Sequence, residues 1–436
     1  MTDNTDINNN TDDWALQDVQ IKKSLGGITV FWEKKLENWV NDIRKTSALP
    51  LRLELWTGQK YDLNPNEEPK VVLRIPELAS LSYLLKPTLD NLGTAYVEGK
   101  LEVQGELNDM IAMGNSLANI FDSPSSTTAA RFRHYFGGRH TRQIDAESIG
   151  YHYDVSNEFY QEWLDPNMVY SCGYFENGDE DLATAQIKKI DHILTKIKVR
   201  PGDRLLDIGC GWGALAIRAA EKFGANVVGI TLSKNQYELA RQRVREKGLE
   251  DRIDIRIQDY RDVTGKFDRI TSVGMFEHVG LKHLVDYFKI IHNLLDDDGI
   301  CMNHGITSTD PDSGETPFGG GEFIEKYVFP NGELPHIGLV LKDMQEAGLE
   351  AMDVENLRHH YAKTCAIWAE NFEEKTPAIK KLTDEKRYRI WRVYLAGCAY
   401  AFALDRVAIY QVVCIKSKRI SPLLPMSRNY MYEKKD

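Results

Sequence analysis

The stretch LLDIGCGWG (205–213) reads as a strand emptying into a glycine loop that opens a helix, with Gly209, Gly211 and Gly213 in DxGxGxG spacing. Such loops let the backbone approach a bound ligand, and the helix N-terminus favours negative charge. A dinucleotide site would instead show GxGxxG with an acid about twenty residues later. The spacing found here, with Asp207 before it, points to S-adenosylmethionine (SAM), whose carboxylate and ammonium stand in place of a pyrophosphate. The next strand ends in GITLSKNQ, with Thr231, Ser233 and Gln236 where an acid usually meets the ribose hydroxyls. Neutral groups bond a diol less strongly than a carboxylate does. After the strand that follows, IQDYRD offers Asp259 and Tyr260 for the adenine. A second stretch, GMFEHVG (274–280), places Glu277 and His278 at the mouth of an apolar, β-branched run, where they either cap the next helix or serve a site. Taken singly, Cys172 reads as a buried small hydrophobe, His304 as a satisfied core histidine and Tyr361 as a packing residue.

The elements that must hold these residues alternate between helix and strand. TAQIKKIDHILTKI (184–197) is an amphipathic helix, RLLDIG a buried strand, LAIRAAEKFG a helix, NVVGIT a strand and NQYELARQRVREKG a helix. Repeated βαβ units build a doubly wound parallel sheet with helices on both faces. Earlier in the chain the alternation has period two, in LRLELW (51–56), KVVLRIP (70–76) and AYVEGKLEVQG (95–105), which predicts three half-buried strands. Helix-like FWEKKLENWVNDI (31–43) and NDMIAMGNSLANIF (108–121) flank them, so this part is a small α+β domain. The resulting plan is a polar, disordered tail (1–13), an N-terminal domain (14–122), a basic linker (123–145) and a catalytic domain (146–436). In the linker, Arg131, Arg133, Arg139 and Arg142 are interleaved with Phe132, Tyr135 and Phe136. They either grip lipid phosphates with the rings at the interface or form a solvated hinge.

The chain of 436 residues suggests two domains with cores of their own. No run of about 18 apolar residues appears, and the first residues lack the pattern of a signal peptide, so a cytoplasmic protein is expected. Six scattered cysteines give neither a disulfide framework nor a metal site. A net charge of -11 argues against nucleic acid as a partner.

HYDVSNEFY, DPNMVYSCGYF, LLDIGCGWG, GITLSKNQ, QDYRD, SVGMFEHVG, KYVFPNGELP and YQVV, in this order, resemble the cyclopropane-fatty-acyl-phospholipid synthases and, more distantly, the mycolic acid cyclopropane synthases. The resemblance spans roughly 150 to 415 and is looser over the first 110 residues. It implies a Rossmann-like class I methyltransferase fold with a helical substrate-binding cap, preceded by the small α+β domain in a lipid-handling role. The neutral GITLS strand end is the family's own pattern. The resemblance further implies that Tyr170 and Ser171 join the cofactor residues. It also implies a bicarbonate ion beside the cofactor methyl, held by Cys172, Glu277, His304, the Ile306 backbone and Tyr361. Glu277 then accepts the bicarbonate proton, His278 shapes the strand end or packs, and Cys398 is structural.

The implied reaction transfers a methylene group from SAM to a cis double bond of an unsaturated phospholipid acyl chain. An alkene is a poor nucleophile, so its π bond must be aligned with the sulfonium methyl and water excluded. Methyl transfer leaves a carbocation, and a bicarbonate oxygen takes a proton so that the ring closes. Aromatic faces stabilise the cation, with Tyr361 and Tyr327 as candidates. The Gly- and Pro-rich TSTDPDSGETPFGGGEFIEKYVFPNG predicts a lid or an ordered surface loop, with Phe323, Tyr327 and Phe329 against acyl chain or cofactor. Competing expectations are a methyl- or methylene-branched product, methylation of a small amine, and an inactive lipid carrier. The resemblance also implies a homodimer, peripherally attached to the inner face of the membrane.

Overall fold

The computed structural model describes residue 32 and residues 34–85, 87–121, 155–311, 321–329 and 333–432. The linker arginines Arg131, Arg133, Arg139 and Arg142 and the polar tail lie outside the described residues. The chain divides into two compact units, Met1–Asp122 and Ser123–Asp436.

In the first unit, strands β1 (Leu51–Leu55), β2 (Lys60–Asp62), β3 (Val71–Ile75) and β4 (Glu102–Gly105) form a sheet in the order β2-β1-β3-β4. Leu51, Leu53 and Leu55 of β1 and Val71, Leu73 and Ile75 of β3 share a buried face, as period-two alternation requires. Against it lie Leu36, Trp39, Val40 and Ile43, which share one face of the helix over 34–46. One expected strand is shorter than the alternation suggests. Residues Leu89–Val97 are helical, capped by the Thr88 side chain, and only Glu102–Gly105 of the 95–105 segment is strand. The helix carries its apolar Ala95, Tyr96 and Val97 inward at its last turn, and Gly99 at φ 67° closes it.

The second unit contains β5 (Arg204–Ile208), β6 (Asn226–Thr231), β7 (Ile253–Ile257), β8 (Phe267–Val273), β9 (Leu295–Ser308), β10 (Leu349–Asn356) and β11 (Val407–Lys416). Their order is β10-β11-β9-β8-β5-β6-β7. Pairing is parallel from β7 through β9, while β11 runs antiparallel to both β9 and β10. One face packs on the helices Leu182–Lys196, Ala214–Phe223 and Lys234–Glu246, the other on Leu284–Leu294 and Ile337–Glu346. The doubly wound sheet expected from the βαβ repeats is therefore present. Between β10 and β11 the chain inserts the helices Arg358–Glu374, Thr376–Leu382 and Glu385–Ala403, which pack together as a cap. The strand order reverses at β5, which aims the glycine loop into the crevice at the carboxyl ends of the strands.

Candidate active site

The loop after β5 turns on three glycines with positive φ, 79° at Gly209, 54° at Gly211 and 85° at Gly213. Gly213 precedes the helix Ala214–Phe223, and a Cβ there would sit 3.2 Å from that of Ala240, so a side chain would meet both strain and crowding. A pocket opens over this loop. Of the expected cofactor residues, Tyr170, Ser171, Asp207, Gly209, Gly211, Thr231, Gln236 and Tyr260 line it. Gly213 stands behind the wall as a packing residue. Asp259 also differs from expectation. Its carboxylate accepts the Arg261 backbone N–H at 2.9 Å and the guanidinium at 2.7 Å, capping its own turn, and Gln258 lines the pocket in its place.

At the end of β6, the Thr231 hydroxyl donates to Gln236 Oε1 at 2.8 Å, which leaves the Gln236 amide N–H groups as donors. Asp207 is buried and accepts the Thr271 hydroxyl at 2.8 Å. Burial raises its carboxyl to about 6, against the Thr271 bond and the charge of Lys189. Sequence reasoning missed Lys189. It lies in the helix Leu182–Lys196, 2% exposed, and its Nζ donates to Ser171 Oγ at 2.5 Å beside the pocket. Burial lowers it to about 8, and its charge acts on Cys172, Asp207 and His304.

Glu277 sits in a short 3-10 turn, Phe276–His278, at the end of β8. Its Oε1 accepts the Ile306 backbone N–H at 2.7 Å, while Oε2 is buried with no hydrogen-bond partner among the described residues. Burial pushes the carboxyl up to about 7, only partly offset by Ile306. The approach depends on Gly305, since a Cβ there would stand 1.7 Å from Phe276 Cε1. The missing side chain in NHGI lets the turn dock on β9 and brings the carboxylate to Ile306. His278, expected to pack or shape the strand end, lines the pocket and meets Phe329 at 5.5 Å between ring centroids.

His304 is fully buried on β9, and neither ring nitrogen has a partner among the described residues. Burial, with the charges of Lys189 and Lys196, holds its imidazole well below the ordinary range, so it is neutral. Cys172 Sγ donates to the Gly173 carbonyl at 3.2 Å, and burial raises the thiol far beyond its ordinary value. The Gly173 N–H donates to Thr364 Oγ1 at 3.0 Å, tying the YSC segment to the cap helix that carries Tyr361. Tyr361 is buried against Phe402, with centroids 4.6 Å apart, and edge-on to Trp368 at 5.8 Å.

Aromatic rings connect cap and pocket. Tyr170 Oη donates to Tyr394 Oη at 3.3 Å, and the Tyr394 ring meets Phe329 at 5.9 Å. Phe323 and Tyr327 are buried in the helix Gly321–Tyr327. The Tyr327 ring already has Lys326 Nζ 4.6 Å and Lys386 Nζ 5.8 Å from its centroid, which disfavours it as a face for a substrate cation and favours Tyr361.

Residues 140–412 match the family model described as mycolic acid cyclopropane synthetase, and residues 38–125 match one described as a domain of unknown function. A probable fatty acid methyltransferase of Pseudomonas putida is 46% identical over 88% of this chain and 96% of its own. The cyclopropane-fatty-acyl-phospholipid synthase of Escherichia coli is 39% identical over 60% of this chain and 66% of its own. The solved structure of a mycolic acid cyclopropane synthase complexed with SAH and CTAB is 36% identical, with a TM-score of 0.60, covering 62% of this chain and 98% of that one. Coclaurine N-methyltransferase, at 19% identity and a TM-score of 0.57 over 74% of this chain and 99% of its own, shares the fold.

Proposed function

Because the chain belongs to the mycolic acid cyclopropane synthetase family, we propose that it transfers a methylene group from SAM to the cis double bond of unsaturated phospholipid acyl chains, forming a cyclopropane ring with bicarbonate as base. The observation that carries the bicarbonate assignment is the pairing of unmet hydrogen-bonding atoms in one buried region. Glu277 Oε2, in the turn that follows β8, and both ring nitrogens of His304, which pairs in register with the last residue of β8, have no partner among the described residues. An acceptor carboxylate beside a neutral imidazole fits a small anion that carries one proton of its own.

When bound, SAM supplies an electrophilic methyl group and bicarbonate an oxygen base at close range. The chain's own residues do the rest. The glycine loop admits the amino-acid end of the cofactor, Lys189 and Ser171 supply donors to the pocket wall, and Gln236 and Thr231 meet the ribose hydroxyls. Glu277 as carboxylate accepts a hydrogen bond from the anion's O–H and so fixes its orientation, with the Ile306 N–H holding the other carboxylate oxygen. His304 gives its single N–H to the anion, and Cys172 and Tyr361 close the site. Tyr361, packed with Trp368 and Phe402, turns an electron-rich wall toward positive charge on the acyl chain. The cap and Phe329 exclude water.

Phospholipid as the acyl carrier is supported by the likeness to the cyclopropane-fatty-acyl-phospholipid synthase of Escherichia coli. Attachment to the inner face of a membrane through Arg131, Arg133, Arg139 and Arg142, and assembly as a homodimer, belong to the same proposal. No helix of the described residues is long and apolar enough to cross a membrane.

The test is proton NMR of lipid recovered after incubating the protein with unsaturated phospholipid vesicles, SAM and bicarbonate. High-field ring protons should replace the vinyl signal. A branched-methyl or methylene signal would instead establish the second reading, which the name of the Pseudomonas putida relative favours. No change in the lipid would overturn both.

A further inference from the structure

The wall beside His304 holds a second buried polar side chain that the reaction as described does not use. Gln411 of β11 stands directly opposite His304 of β9 in the antiparallel register. Residues paired in this way share a face of the sheet, with their Cβ atoms about 5 Å apart. Both side chains are 0% exposed. Neither amide atom of Gln411 has a hydrogen-bond partner among the described residues, and neither ring nitrogen of His304 has one.

The surroundings leave few other uses for this amide. Two residues along β11 on the same face, Val413 is buried and apolar, and an apolar residue at 411 would serve packing better than an unpaired amide. On the far side of Gln411 the register partner is Glu355 of β10, whose Oε2 accepts His192 Nε2 at 2.9 Å and the Lys196 ammonium and whose carboxylate takes no bond from Gln411. On the far side of His304 the register partner is Val273 of β8, which offers no polar atom. Of the two strand neighbours in register with the imidazole, Gln411 alone can bond to it.

A neutral imidazole has one N–H and one lone pair, and whatever meets one nitrogen decides which tautomer faces the site. We propose that Gln411 is a positioning residue: with the anion in place its amide, unpaired in this structure, turns to give an N–H to one ring nitrogen of its register partner His304, so that the other nitrogen carries the hydrogen and donates it to the anion held by Glu277. This rests on the anion assignment made above, and extends it to a residue that does not itself touch the reacting atoms.

The experiment compares wild type with Gln411→Leu, which keeps the bulk and removes the amide, by nitrogen NMR of histidine-labelled protein and by activity against bicarbonate concentration. The His304 signal is assigned from its loss in His304→Gln. In the presence of S-adenosylhomocysteine and sodium bicarbonate, wild type should show a single His304 tautomer and Gln411→Leu a mixture. The bicarbonate concentration for half-maximal rate should rise about tenfold, with SAM affinity unchanged by calorimetry. The same tautomer in both proteins, or an unchanged bicarbonate dependence with wild type responding to the ion, overturns the assignment. If wild type shows no response to bicarbonate at all, the anion assignment fails, and the His304 tautomer alone decides whether Gln411 sets it. Should Gln411→Leu fold poorly, Gln411→Met keeps the side-chain length and answers the same question.

Discussion

Glu277 lies in surroundings that favour the neutral acid, because desolvation outweighs the single N–H from Ile306, yet the proposed chemistry needs it ionised. With its carboxyl raised to about 7, turnover should climb with pH through that value and level off above it. A pH–rate profile that is flat from 5.5 to 8.5 would remove Glu277 from this role. Glu277→Gln keeps the shape and cannot accept the anion's proton at the same atom, so kcat should drop by about a hundredfold or more with SAM affinity unchanged. Calorimetry and initial rates check the two halves separately. At Gly305, an added methyl group would overlap the buried Phe276 ring. Gly305→Ala should cost about 1–3 kcal/mol in denaturant unfolding and reduce activity as well, since it displaces the turn that carries Glu277. A variant that unfolds like wild type would show that Phe276 rotates away freely.

At the scale of elements, Phe329 joins the segment after the helix Gly321–Tyr327 to His278 on one side and Tyr394 of the cap on the other. Phe329 is only partly buried, so Phe329→Ala should change the thermal midpoint little while lowering kcat/KM for lipid about tenfold through water entry. Equal kcat/KM would place this ring outside the closure of the site. The alternation from 184 to 248 was legible because its helices each carry one apolar face and its strands are short apolar runs with sharp ends. NVVGIT stops at Thr231, and Gly224 at φ 72° closes the helix before it. The segment 95–105 was misread for the opposite reason. A short apolar run has no period of its own, and the Thr88 cap that commits Leu89–Val97 to helix lies seven residues before it. The glycine-loop half of the site was readable from spacing alone, whereas Lys189 and Gln411 were not. Lys188 and Lys189 are adjacent, but a helix turns 100° per residue. Lys188 pairs with Glu176 and Glu180 near the surface while Lys189 points inward at Ser171. Gln411 looks like one polar residue in an apolar strand until β9 is laid beside it.

Across the whole molecule, buried acids tie stability to pH. Glu277 is raised from 4.5 to about 7 and Asp207 from 3.8 to about 6, in each case first by burial. A group whose carboxyl is raised on folding contributes fully below its unfolded value and loses that contribution as pH rises through the folded one. These two carboxyls therefore draw stability down between about pH 4 and 7, while His304, held neutral on folding, pulls the other way below its ordinary value, and Glu277→Gln should lose less than wild type over the upper part of that window. Urea midpoints at pH 5, 6, 7 and 8 measure this, and parallel curves for the two proteins would contradict the burial of that carboxyl. The basic linker makes a separate prediction. Binding to anionic vesicles should exceed binding to neutral ones at low salt and weaken as salt is added, whereas equal binding would take Arg131, Arg133, Arg139 and Arg142 out of the account. The sheet order carries one further consequence, for how the molecule is made. The final strand, β11, is inserted between β9 and β10 rather than added at an edge. Synthesis from the N-terminus thus completes the glycine loop and the pocket residues up to His278 well before residues 407–416 exist. Until then β9 has an open edge with unpaired backbone groups, a template for wrong partners. Each nascent chain acquires the parts of a cofactor pocket first and the wall behind His304 last, and a ligand that holds the early half together would shorten the time that edge stays bare.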